Sequence, residues 1–276
     1  MSIKMIALDL DGTTLNSKGR ITADNKKAIE KAIDLGIKVV VSTGRSYTAL
    51  PEDVRDLRGL EYVISSNGAH ITDMISGEHI FDSYISLEAI EDVTALTRKY
   101  DLMIEVFYDD RAFTDTVLYK KVEREGSSYR NREYVLSTRE PIDDILGFMR
   151  EHRDKIENIN IFFEHPEERI AKMPVIEAGI RKATITSSFP NNIEVGGEHT
   201  SKSEALMHLA SKFGIERTEL MCCGDAPNDI AMITNAGIGV AMGNAWDVTK
   251  DAADYVASTN DESGVAEVIN KFVLNA

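Results

Sequence analysis

The feature that most constrains the fold is a short apolar run near the N-terminus that ends in two carboxylates. Residues 3–8 are apolar except for one lysine, and Asp9 and Asp11 follow directly. Such a run is typical of a parallel strand buried on both faces. Ligands of open α/β sheets bind beyond the carboxyl ends of the strands, and Gly12 allows a sharp turn there. The sequence therefore predicts a functional carboxylate pair at a sheet edge.

Two carboxylates separated by one residue suit two-step group transfer, in which one attacks as a nucleophile and the other handles protons. The same short pattern, Asp-x-Asp-Gly, is also found where a strand simply gives way to a polar loop. The N-terminal stretch alone leaves both interpretations open, and the rest of the chain must decide between them.

Composition narrows the class of protein. At 276 residues the chain has room for one large domain or two moderate ones. The formal net charge of -15 argues against general binding to nucleic acid or anionic membranes, although a local basic pocket remains open. We expect a cytoplasmic protein because no leader or membrane-length apolar run is visible. The adjacent Cys222 and Cys223 are expected to be buried, reduced thiols.

Alternating helices and strands predict an α/β, doubly wound parallel-sheet core. Thr22 is a suitable N-cap for a helix through residue 34, and a second apolar run over 37–41 breaks into Ser42-Thr43-Gly44-Arg45. A hydroxyl and freed backbone N–H groups at a strand-to-helix turn can bind phosphate. A third strand over 62–66 ends at Asn67, and residues 71–80 are expected to form a hairpin.

The pattern changes after about residue 84, where a partly antiparallel α+β module is predicted. Its strand candidates include 102–107, 112–114, 134–136 and 156–163, and helices are expected to follow Pro141 and Pro166. Its basic residues are either a solvated face or a substrate contact. The predicted boundaries are 1–83 plus 188–276 for the core domain and 84–187 for the inserted domain.

A second acidic cluster appears after the insertion. Asp225 and Asp229 follow a buried strand over 219–223, and carboxylates are ligands that Mg²⁺ prefers. Lys202 stands at the start of a helix, where its charge opposes the helix dipole, so it is either a tolerated surface lysine or a phosphate ligand. Carboxylates gathered at about 4 Å repel by about 4 kcal/mol per pair at an effective dielectric of 20. A cation among them is therefore expected.

Taken in order, these segments resemble the four motifs of the haloacid dehalogenase superfamily: Asp9-Leu10-Asp11-Gly12-Thr13, Ser42-Thr43-Gly44-Arg45, Lys202, and Gly224-Asp225-Ala226-Pro227-Asn228-Asp229. More narrowly, the chain is similar to Cof-type phosphatases with a class IIB cap, on the segments 66–69, 240–245 and 261–266. The resemblance covers the predicted core. The inserted domain matches only in position and length.

The resemblance implies a Mg²⁺-dependent phosphatase of small phosphorylated metabolites, with sugar phosphates as the expected class. Asp9 would be the nucleophile that becomes an aspartyl phosphate, and Asp11 the acid and base. Thr43, Gly44 and Lys202 would hold phosphate. Mg²⁺ would be bound by Asp9, the Asp11 carbonyl and Asp225, with Asn228 and Asp229 orienting the metal ligands and Lys202. Asn67 and Arg45 are candidate substrate-loop residues. His70 and His199, in nearby loops, are either ordinary solvated histidines or substrate contacts.

Two departures and two alternatives accompany this interpretation. Ser203 stands where related proteins commonly have Gly, and Ala226-Pro227 is a stiff pair inside the last motif.

A phosphomutase of the same fold is one alternative. The other is a phospho-accepting or ligand-sensing module that does not turn over, against which Asp11 and the long insertion argue. The sequence does not name the substrate or the oligomeric state.

Overall fold

A computed structural model describes residues 2–127 and 130–274. The chain forms two compact units. The first comprises Met1–Gly44, Leu50–Asp82 and Ser201–Ala276, and the second comprises Arg45–Ala49 and Ser83–Thr200. Helices (α) and strands (β) are numbered below in chain order.

The first unit is built on an eight-stranded sheet. Its strands are β1 (Met5–Leu8), β2 (Lys38–Ser42), β3 (Tyr62–Ser65), β4 (His70–Asp73), β5 (His79–Asp82), β12 (Leu220–Gly224), β13 (Ile238–Ala241) and β14 (Tyr255–Val256). Its helices are α1 (Ala23–Asp34), α2 (Glu52–Arg55), α8 (Lys202–Lys212), α9 (Ile230–Asn235), α10 (Asp247–Asp251) and α11 (Gly264–Ile269). The order across the sheet is β14-β13-β12-β1-β2-β3-β4-β5.

Six neighbouring strands, from β14 to β3, pair in parallel, and β4 and β5 extend the sheet as an antiparallel hairpin. All four residues of β1 are buried, as its continuous apolar run predicts for a central strand. Helix α1 is capped by Thr22, whose side chain accepts a hydrogen bond from the Asn25 N–H, and buries Ala28 and Ile29. The predicted doubly wound α/β core is confirmed.

The second unit is an α+β fold with a six-stranded sheet. Its strands are β6 (Met103–Tyr108), β7 (Arg111–Asp115), β8 (Arg139–Ile142), β9 (Ile156–Phe162), β10 (Ala183–Thr186) and β11 (Asn192–Gly197). Its helices are α3 (Leu87–Tyr100), α4 (Thr116–Glu125), α5 (Arg132–Thr138), α6 (Ile145–Glu151) and α7 (Pro166–Gly179). The order is β10-β11-β9-β6-β7-β8, antiparallel except for the β7–β8 pair.

Two predicted elements of this unit are wrong. Residues 134–136 form part of helix α5, because the Asn131 side chain accepts a hydrogen bond from the Tyr134 N–H and caps a helix there. Pro141 does not start a helix but lies in β8. This strand is at the edge of the sheet, where a proline removes no interstrand hydrogen bond that the structure needs. The following helix begins at Ile145, capped by Asp144.

Within residues 2–127 and 130–274, no helix has both the length and the apolar character that crossing a membrane requires.

Candidate active site

Three neighbouring parallel strands end at the same edge of the first sheet. β1 lies between β12 and β2, with Leu8 level with Cys223 on one side and Val41 on the other. The next residues along these strands lead to Asp9, Thr43 and Asp225. The strand order therefore brings residues from three distant parts of the chain to one edge, as the sequence predicts.

Lys202 is the cation of this site. Ser201 caps helix α8, so Lys202 is its first residue. The Lys202 Nζ lies 2.5 Å from Asp9 Oδ1 and 2.7 Å from Asp229 Oδ1, and its side chain is only 1% exposed. Burial alone would lower the pKa of this ammonium group, but the carboxylates of Asp229 and Asp9 outweigh burial and raise it. Lys202 is therefore a permanently charged buried group.

Three carboxylates surround this single lysine. Asp9, Asp225 and Asp229 each offer one oxygen atom, and these atoms lie within 4.8 Å of one another. Burial, followed by the charge of Asp229, raises the pKa of Asp225 to about 7. Burial is also the largest cause that raises the pKa of Asp9, against the lowering effect of Lys202. One ammonium group does not neutralise three carboxylates, and the cluster can hold a divalent metal ion.

The loop after β1 fits tightly against Asp225. Gly12 has a φ of +78°, and a β-carbon there would collide with the Asp225 carboxylate. Thr13 Oγ1 donates a hydrogen bond to Asp225 Oδ1 at 3.1 Å. On the other side of the loop, Thr14 Oγ1 donates to the Asp9 backbone oxygen at 2.5 Å. The loop thus fixes the backbone of Asp9 and the side chain of Asp225 together.

The turn after β12 positions Asp229. Residues Pro227–Asp229 form a single helical turn, and Asp229 Oδ2 accepts hydrogen bonds from the backbone N–H groups of Asp225 and Ala226 at 3.0 and 3.2 Å. Its other oxygen contacts Lys202. The stiff Ala226-Pro227 pair is thus part of a tight turn that aims one carboxylate at the lysine.

Ser203, where the family resemblance leads one to expect glycine, connects helices α8 and α9. Its hydroxyl donates to the Ala231 backbone oxygen at 3.2 Å and accepts from Asn235 Nδ2 at 3.0 Å. Helix α8 still begins at Lys202. The substitution therefore leaves the lysine in place and ties its helix to α9.

The phosphate-binding candidates after β2, Thr43 and Gly44, contact the loop that contains Asn67. The Asn67 N–H donates to the Thr43 backbone oxygen at 3.0 Å, and Asn67 Oδ1 accepts from Asn228 Nδ2 at 3.0 Å. Asn67 adopts a φ of +57°, a left-handed conformation that asparagine tolerates better than most residues. A β-carbon on Gly44 would lie only 3.0 Å from Asn67 Oδ1. The structure thus places Thr43, Gly44, Asn67 and Asn228 in one network.

The structure also locates four further predicted residues. Arg45 belongs to the second unit, where its guanidinium lies 4.7 Å from the ring centre of Tyr134. His70, expected in a loop, is the first residue of strand β4. His199 is an exposed residue of the second unit. Asp11 is half-buried next to the Gly12 turn.

Sequence reasoning missed the role of Asn244. Its Nδ2 donates to the Gly12 backbone oxygen at 2.8 Å, and its Oδ1 accepts from the Asn260 N–H at 2.9 Å. Asn260 in turn donates to the Leu15 backbone oxygen. The segment 240–245 carries a family resemblance, but nothing in an isolated asparagine indicates which backbone oxygen it contacts.

The second unit carries its own group of buried polar side chains. Glu105, Asn160 and Glu194 lie side by side on three neighbouring strands, and each is at most 1% exposed. Both guanidinium atoms Nε and Nη2 of the buried Arg139 donate to Glu105 Oε2, at 3.0 and 2.7 Å. Glu105 Oε1, Asn158 Oδ1 and Asn160 Nδ2 are buried without a hydrogen-bond partner. Most buried polar atoms in proteins are hydrogen-bonded, so these three are available to a water molecule or a ligand.

Comparison with known proteins agrees with this geometry. The family model of haloacid dehalogenase-like hydrolases matches residues 6–269. The chain belongs to this family. The matched region contains all four motif segments, and similar proteins of this family are named phosphatases. The enzyme is a Cof-type phosphatase of the haloacid dehalogenase superfamily, a phosphoric monoester hydrolase.

Relatives of the phosphatase match over nearly their whole length. It is 36% identical over 278 residues to the 5-amino-6-(5-phospho-D-ribitylamino)uracil phosphatase YcsE of Bacillus subtilis, covering 99% of this chain and 97% of that protein. A haloacid dehalogenase-like hydrolase from B. subtilis, of known structure, is 31% identical with a TM-score of 0.83, covering 98% and 100% of the two chains. The subclass IIB sugar phosphatase BT4131 is 25% identical with a TM-score of 0.80, covering 98% of each chain.

Proposed function

We propose that this phosphatase hydrolyses small phosphorylated metabolites, with sugar phosphates as the substrate class, through a phosphoryl group carried on Asp9 and with Mg²⁺ as cofactor. The observation that carries the proposal is the arrangement of Asp9, Asp225 and Asp229 around the buried Lys202. A nucleophilic carboxylate must approach an anionic phosphate, and positive charge beside both makes this approach possible.

In the first step, an Asp9 carboxylate oxygen attacks phosphorus and the bond from phosphorus to the alcohol oxygen breaks. Asp11 gives its proton to that oxygen, so the alcohol leaves neutral. In the second step, Asp11 takes a proton from water, and the water oxygen attacks phosphorus. The bond to Asp9 then breaks, which releases inorganic phosphate and restores the Asp9 carboxylate.

Lys202, Thr43 and Gly44 are proposed to hold the phosphoryl oxygens. Lys202 is suited to this role because its charge is buried and fixed by Asp229, so it does not have to be reorganised during the reaction. Asn228 and Asp229 are proposed to keep the lysine and the neighbouring loop in position.

The residues present fit a divalent metal. Asp9 and Asp225, with the Asp11 backbone carbonyl, would hold Mg²⁺, whose preferred ligands are oxygen atoms. When bound, the ion neutralises charge on the carboxylates and on the phosphate that approaches them. Burial, and after it the charge of Asp229, raises the pKa of Asp225 to about 7, and a cation beside this carboxylate would favour its charged form.

One observation supports a sugar-like alcohol as the leaving group. BT4131, which matches over 98% of each chain, is described as a sugar phosphatase.

The deciding experiment measures phosphate release from an aryl phosphate and a panel of sugar phosphates, with Mg²⁺ or with a chelator. Asp9→Asn is compared with Asp24→Asn, a change at an exposed aspartate of α1. The first variant should lose phosphate release to background, and the second should retain it. Metal-independent release, or full activity of Asp9→Asn, would contradict the proposal.

A further inference from the structure

A second cluster of metal-ligating side chains lies on the β4–β5 hairpin of the first unit. It consists of His70, His79 and Asp82, whose ligand atoms all lie within 4.8 Å of one another. His70 Nδ1 is 2.6 Å and His79 Nδ1 is 3.1 Å from the same oxygen, Asp82 Oδ1. The two imidazole rings stack with their centres 4.1 Å apart. Two of the six histidines of the chain thus converge on one carboxylate.

A local irregularity of the hairpin creates this convergence. Residues 79 and 82 are three apart, and in a regular strand their side chains would point to opposite faces. The pairing shifts between Ile71 and Thr72, so that His70 faces Asp82 while Thr72 faces His79. The extra residue in β5 turns His79 and Asp82 to the same face as His70. Irregularities of this kind are found where a strand must re-aim a side chain.

We propose that His70, His79 and Asp82 form a zinc site that is separate from the carboxylate cluster of Asp9. Two imidazole nitrogens and one carboxylate oxygen are ligands typical of Zn²⁺, whereas Mg²⁺ prefers oxygen atoms alone. Ligand atoms of a tetrahedral zinc ion at about 2.0–2.1 Å lie about 3.4 Å apart. The observed separations of 3.1 and 2.6 Å reach that value by an opening of less than about 1 Å.

The burial of the three side chains fits this assignment. His70 is 2% exposed and belongs to a strand paired on both sides, so it provides a fixed ligand. The side chains of His79 and Asp82 are 24% and 43% exposed, which leaves room for an ion to enter and for water to complete its coordination. A bound zinc ion would link the edge strand β5 to its neighbour β4. It does not use any residue of the proposed phosphatase reaction.

The test measures how many zinc ions bind per chain in the presence of a large excess of Mg²⁺, which occupies the sites made of oxygen ligands alone. The native chain and the variants His79→Asn, Asp82→Asn and His199→Asn are dialysed against Zn²⁺. Bound zinc is then measured by inductively coupled plasma mass spectrometry. His199 is an exposed histidine outside the cluster and serves as the matched control. The changes avoid buried His70, so that folding is preserved.

We expect one zinc ion per chain in the native protein and in His199→Asn. Both cluster variants should weaken zinc binding by about tenfold or more. X-ray absorption at the zinc edge should show two imidazole nitrogens, and zinc should raise the thermal midpoint of the native chain but not of His79→Asn. No retained zinc, equal retention in His79→Asn, or an oxygen-only coordination shell would each overturn the proposal and leave the cluster as a hydrogen-bonded hairpin.

Discussion

Asn244 donates a hydrogen bond to the backbone oxygen of Gly12 at 2.8 Å, although 232 residues separate the two in the chain. The same side chain accepts a hydrogen bond from the Asn260 N–H. The turn that follows the proposed acid and base, Asp11, is thus held by a residue from the last fifth of the sequence.

Replacing Asn244 by Asp should remove its hydrogen bond to Gly12 and keep its hydrogen bond with Asn260. The carboxylate keeps the acceptor for Asn260 but loses the donor for Gly12 and places a negative charge beside a carbonyl. We expect the free energy of unfolding to fall by about 1 kcal/mol, as for one lost hydrogen bond. We expect kcat to fall by a larger fraction than the free energy of unfolding does. Steady-state kinetics and urea unfolding measure the two effects. Equal kcat in Asn244→Asp and the native enzyme would show that this bond does not position the turn.

Lys202→Met should destabilise the protein strongly when no metal is added. The variant leaves the buried carboxylates of Asp9 and Asp229 without their cation, which costs about 3–5 kcal/mol for a broken buried pair. Lys212→Met, at an exposed position of the same helix, should change stability by about 0.5 kcal/mol or less. Denaturant unfolding in a chelator measures both, and similar values for the two variants would contradict the expectation.

Gly12→Ala and Gly19→Ala form a second matched pair. Both glycines have positive φ, +78° and +70°, so each alanine carries a backbone strain of about 1–2 kcal/mol. Only at Gly12 does the added β-carbon collide with the Asp225 carboxylate, whereas nothing lies within 4 Å at Gly19. We expect Gly12→Ala alone to weaken Mg²⁺ binding, measured by calorimetry, and to lose activity. Equal metal affinity in both variants would rule out the proposed contact.

The Arg139–Glu105 pair of the second unit is fully buried, so removing one partner should be worse than removing both. Arg139→Met leaves an uncompensated carboxylate and should cost about 3–5 kcal/mol, while the double variant Arg139→Met/Glu105→Leu should recover much of this loss. Arg111→Met, at an exposed pair with Glu140, should cost about 1 kcal/mol or less. Urea midpoints followed by circular dichroism provide the comparison. No recovery in the double variant would contradict it.

The two cysteines should be inert in the folded protein. Burial raises the pKa of Cys223 to about 12 and also raises the pKa of Cys222. The pKa of Cys223 is higher in the folded protein than the value of about 8.5 expected in the unfolded chain. The neutral thiol therefore contributes fully to the free energy of unfolding below about pH 8.5, and this contribution is lost as the pH rises toward 12. Iodoacetamide at pH 8 should label neither thiol until denaturant is added, as mass spectrometry can show. Rapid labelling of the native chain would contradict this.

The core sheet and the polar strand ends at Asp9, Thr43 and Asp225 could be predicted from the sequence because their signals are local. The apolar run before Asp9, the cap at Thr22 and the acidic turn at Asp225 each appear within a few residues. Contacts that depend on a distant backbone were out of reach, such as Asn244 to Gly12 or Thr13 to Asp225. In the second unit, the Asn131 cap outweighed the strand propensity of Tyr134 and Val135, so a predicted strand is a helix.

The position of β1 has a consequence for synthesis on the ribosome. Its hydrogen-bonding partners are β2 on one side and β12 on the other, and β12 begins only at Leu220. A nascent chain that has already emerged as far as Thr200 therefore carries an apolar central strand with one open edge. Such an edge is prone to pair with other chains. We expect release of chains truncated before Leu220 to yield aggregates, and molecular chaperones to be needed most during this interval.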